Sequence, residues 1–248
     1  MSRSGAIRVG IGGWTFPDWR GVFYPDGLRQ RDELAHAAAR LGAIEINATY
    51  YGRQKPDSYA AWAAAAPDGF LFSLKASRFS TTRKWLPDAA ESVGVFIDQG
   101  FTRLGDRLGP IVWQFPATKA FDREEFAGWL DLLPAEKDGL PLRHALDVRH
   151  DSFRDEAFHA LARERGAAVV LTESEDFPLI VADTADFVYW RLMGTAADAR
   201  TGYRAHDLDA WAARAKAAAA TGRDVFAFFI DGEKVRNPAA AQALMKRL

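Results

Sequence analysis

The sequence predicts a single closed (β/α)8 barrel of the TIM type, built from parallel strands. The chain has 248 residues, close to the roughly 250 that such a barrel usually needs. Eight short apolar runs alternate with segments of helical period, which favours strand–helix–strand units around a parallel sheet. An open, doubly wound sheet is the alternative, although eight strands in one domain of this length favour closure. The predicted domain covers residues 1–248.

Each apolar run ends in a side chain that is able to bind or react. Burying many polar groups at equivalent places costs free energy unless they are paired or serve a site. Because the carboxyl ends of the strands carry the chemistry in this fold, we expect these groups to surround one cavity. In chain order they are Trp14, Asn47, Lys75, Gln114, Arg149, Thr172 or Glu173, Arg191 and Asp231.

Short apolar runs bounded by turn residues predict the strands. Only residues 174–185 separate the sixth run from the seventh, so the sixth helix is expected to be short or degenerate. The predicted strands are 7–12, 44–47, 70–75, 111–115, 144–149, 168–172, 187–192 and 225–230.

Apolar residues that recur three and four positions apart predict the helices. One helix is expected over 155–165, and another over 207–220 with Asp207 as its N-terminal cap. A similar apolar stripe indicates a helix over 97–108. The last helix is expected to start near Pro238, because proline suits the first helical turn.

Composition excludes several classes of function. The formal net charge of -1 and an isoelectric point near 6.5 argue against coating nucleic acid or anionic membrane through bulk electrostatics. The absence of cysteine excludes disulfides, thiolate metal sites and thiol catalysis. The first ten residues lack the apolar segment of a secretory signal, and no run of about 18 apolar residues occurs. We therefore expect a cytoplasmic protein with no membrane partner, whose oligomeric state the sequence leaves open.

Side chains alternate across a strand, which sorts each run into a set facing the helices and a set facing the barrel interior. Gly10 and Gly12 are expected to leave a hollow beneath Trp14 that would serve as the floor of a ligand site. The other residues predicted to point inward are Glu45, Asn47, Ser73, Lys75, Gln114, Asp147, Arg149, Tyr189 and Arg191, followed on the last run by Ala227, Phe229 and Asp231.

Many of these residues lie in stretches through which the chain resembles the YecE-like family, catalogued as domain of unknown function 72. The stretches follow family order along nearly the whole chain. The resemblance implies a TIM-type barrel, in agreement with the strand count. It does not indicate a reaction, because none is established for the family. The matching stretches are Gly10-Ile11-Gly12-Gly13-Trp14, Phe23-Tyr24-Pro25, Glu45-Ile46-Asn47-Ala48-Thr49-Tyr50-Tyr51, Phe72-Ser73-Leu74-Lys75, Gln114-Phe115-Pro116, Asp147-Val148-Arg149-His150 and Tyr189-Trp190-Arg191-Leu192.

The chain departs from the pattern of this family at several places. The family usually has glutamate where this chain has Asp147, and histidine where it has Met193. Asp231 and Gly232 follow the last strand in place of an asparagine-bearing segment, and a run beginning at Pro238 replaces the usual asparagine-alanine helix start. A proton-transfer role for the missing histidine therefore does not extend to this chain.

The inward polar groups predict an enzyme whose barrel mouth binds a small anionic metabolite, phosphorylated or carboxylated. Acid–base chemistry needs titratable groups whose pKa values differ, and the catalytic candidates are Glu45, Lys75 and Asp147. The reaction class stays open, with hydrolase and lyase chemistry both included. The candidates for substrate binding are Trp14, Asn47, Tyr50, Gln114, Arg149, His150, Arg191 and Asp231.

Other interpretations of the same residues remain open. The inward charges are equally able to form a structural ion network. Lys75 at a strand end also suggests Schiff-base chemistry, but a lysine paired with Glu45 would stay protonated and inert. No cofactor is expected. The alternative is a divalent metal held by hard oxygen ligands, drawn from Glu45, Asp147, Glu173 and Asp231.

A basic loop favours a different class of function. Residues 75–85 contain Arg78, Arg83 and Lys84 among the aromatic residues Phe79 and Trp85. Basic groups interleaved with aromatic rings bind phosphate chains and stack bases, so a nucleic-acid-binding or phosphodiester-cleaving barrel is an alternative, against a solvated loop. A non-catalytic ligand-binding barrel is the third candidate, marked by tight binding without turnover.

Overall fold

The structure is a computed structural model that describes residues 4–248. One sheet contains nine parallel strands. They are β1 Ile7–Gly12, β2 Ala43–Ile46, β3 Leu71–Lys75, β4 Leu108–Gln114, β5 His144–Asp147, β6 Ala168–Val169, β7 Leu171–Glu173, β8 Phe187–Leu192 and β9 Asp224–Phe229. Their order in the sheet is β6-β5-β4-β3-β2-β1-β9-β8-β7.

The two ends of this sheet are neighbours in the chain, because β6 and β7 are the halves of the predicted sixth strand on either side of Val170. Strand β6 pairs with β5, and β7 pairs with β8. Between them the Val170 N–H donates to the Leu146 carbonyl at 3.0 Å. The sheet therefore forms a nearly closed barrel, which confirms the predicted TIM-type fold.

Helices connect most of the strands. In the described part of the chain the α-helices are α1 Glu33–Ala38, α2 Ala48–Tyr51, α3 Pro56–Ala65, α4 Ala90–Ile97, α5 Arg123–Leu130, α6 Glu156–Glu164, α7 Ala205–Ala220 and α8 Asn237–Met245. The shorter elements are 3-10 helices at Pro17–Trp19, Gln30–Asp32, Arg78–Ser80, Leu86–Ala89, Phe101–Arg107, Asp151–Arg154 and Lys234–Arg236, and an antiparallel hairpin of Glu136–Lys137 with Leu140–Pro141. Residues 174–186 contain no helix, so the sixth helix is degenerate as predicted.

Local capping explains where the later helices begin. Asp155 caps α6 by accepting a hydrogen bond from the Ala157 N–H at 2.8 Å, and α8 has Pro238 in its first turn. Helix α7 begins at Ala205 rather than at the predicted cap, so that prediction is wrong. Asp207 lies instead in the first turn of α7, where a carboxylate is stabilised by the helix dipole.

The helix predicted over 97–108 is also wrong. Helix α4 ends at Ile97, and Gly100 then adopts a left-handed conformation with φ of 89°. A side chain at Gly100 would also meet Pro56 at 2.8 Å. The remaining stripe residues are divided between the 3-10 helix Phe101–Arg107 and the start of β4, because the turn at Gly100 interrupts the helical path.

The core has two parts, one between the sheet and the helices and one inside the barrel. Phe72 and Leu74 pack in the outer part, as predicted, whereas Phe226 and Phe228 fill the interior. Ala227 and Phe229 also belong to the outer part. Their predicted inward orientation is therefore wrong, because on the last strand it is Phe226 and Phe228 that point into the barrel.

Two predictions involve the first three residues of the chain. The domain predicted over 1–248 and the absence of a signal segment both involve residues 1–3, which lie outside the described residues. Within residues 4–248, no helix is long and apolar enough to cross a membrane. The single domain and the cytoplasmic location stay predictions.

Candidate functional site

A cavity of about 430 Å³ opens where β1, β2, β3, β8 and β9 end. Five of the predicted site residues line it, which are Trp14, Asn47, Lys75, Arg191 and Asp231. The other six predicted residues do not line this cavity, and they are Glu45, Tyr50, Gln114, Asp147, Arg149 and His150. The predicted gathering of polar groups at the strand ends therefore divides into a cavity and its surroundings.

Glycine at the end of β1 makes room for this cavity. Gly12 lines it, and a side chain there would meet the Asn47 amide nitrogen at 3.0 Å. At Gly10, by contrast, a side chain would collide with the Ala43 carbonyl of β2 at 2.0 Å. The hollow predicted beneath Trp14 thus lies beside Gly12, while backbone fills the space beside Gly10.

Arg191 forms the centre of a buried ion network beneath the cavity. Its guanidinium, 1% exposed, donates to Glu45 Oε1 at 3.1 Å and to Asp147 Oδ2 at 2.7 Å. It also donates to Gln114 Oε1 at 2.9 Å. Burial opposes the charge, but the two carboxylates outweigh it and raise the pKa of Arg191 above its usual value. Arg191 is therefore a permanent cation on the cavity floor.

Hydroxyl groups complete the coordination of the two buried carboxylates. Tyr189 donates to Glu45 Oε2 at 2.7 Å and lies 2.7 Å from the Ser73 hydroxyl. Thr172 donates to Asp147 Oδ1 at 2.9 Å. Burial, reinforced by the Glu45 charge, raises the pKa of Tyr189 well above its usual value. The phenol therefore stays a donor to Glu45.

Asp147 is fully buried yet remains ionised. Burial alone would raise its pKa, but the guanidiniums of Arg191 and Arg149 outweigh burial and hold the pKa below its usual value. Arg149 donates to Asp147 Oδ2 at 3.0 Å and to Gln114 Oε1 at 3.0 Å. Both oxygens of Asp147 therefore have partners, and the residue is a structural anion in this arrangement.

Arg149 is covered on its outer side. Its guanidinium carbon lies 4.2 Å from the centre of the Phe177 ring, which belongs to the irregular segment that replaces the sixth helix. His150 makes a local contact instead of facing the cavity, since its Nδ1 accepts from the Ser152 N–H at 3.2 Å. These two positions contribute to the wall of the barrel mouth on the side of β4 to β7.

Lys75 differs from every charge in this network. Its side chain is 7% exposed, and across residues 4–248 its Nζ has no hydrogen-bond or salt-bridge partner. The Nζ lies 4.2 Å from the centre of the Tyr50 ring. Glu45, whose pairing with Lys75 would have kept the amine protonated, is bound to Arg191 and Tyr189 instead.

The surroundings of Lys75 make its amine easier to deprotonate. Burial is the main cause and the Arg191 charge adds to it, and together they lower the pKa of Lys75 to about 8. Glu45 and Asp147 oppose this shift without cancelling it. A lysine with a pKa near neutrality is able to act as a proton donor or acceptor or as a nucleophile.

Asp231 reaches the cavity by an unusual backbone conformation. It is one of two non-glycine residues with positive φ in the described chain, at 60°. Its carbonyl accepts from the Asn237 amide at 3.2 Å and from the Thr195 hydroxyl at 3.3 Å. Strained positions of this kind persist where neighbouring contacts determine them and concentrate at functional sites.

Sequence reasoning missed Asn237. This residue lines the cavity, is 1% exposed and accepts from the Thr195 hydroxyl at 2.9 Å. It is the first residue of α8 and precedes Pro238. A polar residue directly before a helix-starting proline was the available signal, because such a residue lies at the strand-end face of a barrel.

Glu173 lies at a second cavity, of about 350 Å³, between the ends of β7 and β8. It accepts hydrogen bonds from the Tyr203 hydroxyl and from the Gly194 N–H, and burial raises its pKa. Within residues 4–248 no cluster of three or more histidine or acidic side chains is arranged to hold a metal ion. The divalent-metal alternative thus has no support from the placement of the side chains.

Comparison with known proteins relates this barrel to one family. The family model described as "Protein of unknown function DUF72" matches residues 8–248. The chain belongs to this family. Two relatives, the proteins named UPF0759 protein YecE of Escherichia coli O157:H7 and of strain K12, are each 26% identical over 175 residues. Each match covers 68% of this chain and 59% of the relative.

Solved structures of DUF72 family proteins share the fold. One from Thermotoga maritima superposes with a TM-score of 0.75 at 24% identity and covers 97% of both chains. Another, from Enterococcus faecalis, gives a TM-score of 0.73 at 18% identity and covers 99% of this chain and 98% of its own. The family name assigns no reaction, so the function has to be argued from the site.

Proposed function

We propose that this DUF72 family protein is an enzyme that binds a small anionic metabolite, phosphorylated or carboxylated, in the cavity at the barrel mouth. Lys75 is the group that moves a proton. The observation that carries the proposal is a buried amine that lines the cavity, has no hydrogen-bond or ion-pair partner among residues 4–248 and has a pKa near 8. Glu45 and Asp147, the other catalytic candidates, act as positioning residues because Arg191 and Arg149 engage their oxygens.

Charge balance supports an anionic ligand. The network and the cavity wall together hold four cations, Lys75, Arg149, Arg191 and Lys234, against three carboxylates, Glu45, Asp147 and Asp231. A buried charge without a counter-ion is costly. Protonated Lys75 has no ion-pair partner among the described residues, and a ligand anion would supply this counter-charge.

The rest of the cavity wall suits a polar metabolite. Asn47 offers both a donor and an acceptor, and Asp231 offers an exposed carboxylate at the rim. Trp14, held edge-on against Trp62 with ring centres 5.3 Å apart, offers an apolar surface. Such a mixture of apolar wall and few polar groups is typical of small-molecule sites.

The proposal also covers the partners of the protein. An amine and a fixed guanidinium are sufficient for proton transfer beside an anion, so the proposed chemistry needs no resident cofactor. The partner is a small molecule, with no membrane involved, and we place the reaction in the cytoplasm.

Inorganic phosphate and acetate provide the first test, because neither carries a reactive carbonyl. Calorimetric titration should detect binding at pH 7 that weakens as pH rises through about 8, where Lys75 loses its charge. Lys75→Met should weaken binding about tenfold, a loss of roughly 1.4 kcal/mol. Lys246→Met, at an exposed lysine of the last turn, is the matched control. Equal affinity in both variants would contradict the proposal.

Turnover separates an enzyme from a sensor. A panel of phosphorylated and carboxylated metabolites in deuterated water should show exchange of carbon-bound hydrogen or product formation by NMR, lost in Lys75→Met. Tight binding without either signal would favour the non-catalytic ligand-binding barrel.

A specific observation keeps the nucleic-acid alternative in view. Phe79 is 51% exposed and Trp85 is 44% exposed, and Arg78, Arg83 and Lys84 beside them are exposed as well. Binding of an oligonucleotide through this loop should weaken steeply with added salt and disappear in Arg83→Gln/Lys84→Gln. Absence of any oligonucleotide binding at low salt would eliminate this alternative.

A further inference from the structure

We propose that Lys75 forms a Schiff base with the substrate, whose class is then a small aldehyde or ketone that carries a carboxylate or phosphate. This inference rests on the proposed function and names the reactive group of its substrate. Its basis is the combination of an unpartnered amine, a separate anion-binding donor and a carboxylate around one cavity.

The first element is the isolation of the Lys75 amine. Its neighbours are the Tyr50 ring at 4.2 Å and the cavity-lining side chains of Ile46 and Ile230. The charged groups that influence it are Arg191, Glu45, Asp147 and Arg149, and they bond to one another instead of to Lys75. With a pKa of about 8, roughly a fifth of the amine is neutral near pH 7.4, against less than about one part in a thousand for an ordinary lysine.

The second element is a donor left over in the ion network. The Nε of Arg191 is buried and lacks a hydrogen-bond partner among the described residues, although both terminal nitrogens of that guanidinium are engaged. Buried donors without partners are rare and costly. Arg191 lines the cavity, so its fixed positive charge would hold an anionic group of the substrate while the carbonyl meets Lys75.

The third element is Asp231, an exposed residue that lines the same cavity as Lys75. Thr195 and Asn237 hold its backbone in the left-handed conformation. This arrangement provides an acid–base group that is separate from the attacking amine, as imine formation requires.

The chemical steps balance with these groups alone. The lone pair of neutral Lys75 Nζ attacks the carbonyl carbon, the C–O π bond breaks, and a proton passes from nitrogen to oxygen through Asp231 to give a carbinolamine. Asp231 then delivers a proton taken from solvent to the hydroxyl, which leaves as water while the nitrogen lone pair forms the C=N bond. Amine, carbonyl compound and one proton thus become a protonated imine and water.

Trapping by reduction tests the inference directly. The full-length protein is incubated with glyoxylate or pyruvate and sodium cyanoborohydride, which reduces the imine to a stable secondary amine. Intact-mass analysis should show one adduct, and peptide mapping should place it on Lys75 at least about tenfold faster than on any of the other lysines. The rate should rise with pH and level off above about 8, as expected for a neutral nucleophile.

Three variants separate this inference from the proposed function. Lys75→Arg keeps a cation in the cavity, so it should retain phosphate binding and lose the adduct. Asp231→Asn should retain the site of labelling and slow its rate, whereas Lys246→Arg should change neither property. Circular dichroism confirms that each variant is folded. If Lys75→Arg is not folded, Lys75→Met replaces it for the loss of the adduct only, because this variant is itself expected to bind phosphate more weakly.

The outcomes distinguish the two claims. Labelling of Lys75 no faster than that of exposed lysines by either probe, in protein that still binds phosphate, would overturn the Schiff base and leave the anion site standing. If the wild-type protein does not bind phosphate at all, the proposed function is overturned instead. Preferential labelling that persists unchanged in Asp231→Asn would remove Asp231 from the mechanism.

Discussion

The barrel mouth has two halves that use the same kinds of residue differently. On the side of β4 to β7, Arg149 donates to Asp147 and to Gln114 and lies under the Phe177 ring. On the side of β1 to β3, Lys75 lines an open cavity and has no protein counter-ion among residues 4–248. A charge at a strand end therefore indicates function only where the protein leaves it without a partner.

Arg191 belongs to both halves. It completes the ion network at the ends of β4 to β7, and it also lines the cavity at the ends of β1 to β3. The two halves are therefore coupled, since any ligand that contacts Arg191 also affects the anions behind it. Substitutions that remove one contact at a time show how far this coupling extends.

The largest effect is expected from Arg191→Met. This substitution leaves Glu45 and Asp147 buried without their shared cation, and breaking a buried pair costs about 3–5 kcal/mol. Urea unfolding monitored by circular dichroism measures the loss. A loss below about 1 kcal/mol, similar to that of Lys246→Met, would mean that the network does not stabilise the fold.

A smaller loss, about 2–3 kcal/mol, is expected from Asp147→Asn, because three donors lose a charged acceptor. The folded-state pKa of Asp147 is lowered, so its contribution is present above the ordinary value near 4 and disappears as pH falls through the folded-state value. The variant should therefore show a flatter decline of stability in acid than the wild type. Parallel declines would place the acid-sensitive group elsewhere.

At the ends of β1 to β3, Lys75→Met should change the free energy of unfolding in the opposite direction and stabilise the fold. Removing a buried ammonium without a partner should raise the free energy of unfolding by about 1–2 kcal/mol at pH 7, at the cost of anion binding. In the wild type the folded-state pKa near 8 lies below the ordinary value near 10.4, so the unfolded chain binds more protons between these values. Wild-type stability should gain from Lys75 as pH rises through this interval, a gain that the variant lacks.

The smallest effect on stability is expected from Phe177→Ala, which uncovers Arg149 at the ends of β4 to β7. The loss of the ring over the guanidinium should cost about 1 kcal/mol. Phosphate affinity at the Lys75 cavity should remain unchanged, as calorimetry would show. A change of more than about tenfold would mean that the halves are coupled through Arg149.

The strand ends were predictable because the period of alternation and the positions of polar residues are local properties. Asn47, Lys75, Gln114 and Arg191 occupy the interior face as expected. The last strand shows the limit of this reasoning, since the five consecutive apolar residues after Val225 contain no alternation to orient it. Asp231 was assigned to the mouth from the wrong face and reaches it through its left-handed backbone.

The sequence by itself determined the barrel, its degenerate sixth helix and the identity of the groups around its mouth, because strand period, turn residues and segment length are written along the chain. Tertiary structure alone decided which charges are partners. The sequence leaves open whether Glu45 pairs with Lys75, and in the structure Glu45 bonds to Arg191 and Tyr189, which lie more than a hundred residues away. Pairing depends on distances between strands that only the barrel establishes, and the buried Lys75 amine, which has no hydrogen-bond or ion-pair partner among residues 4–248, gives this protein its candidate site.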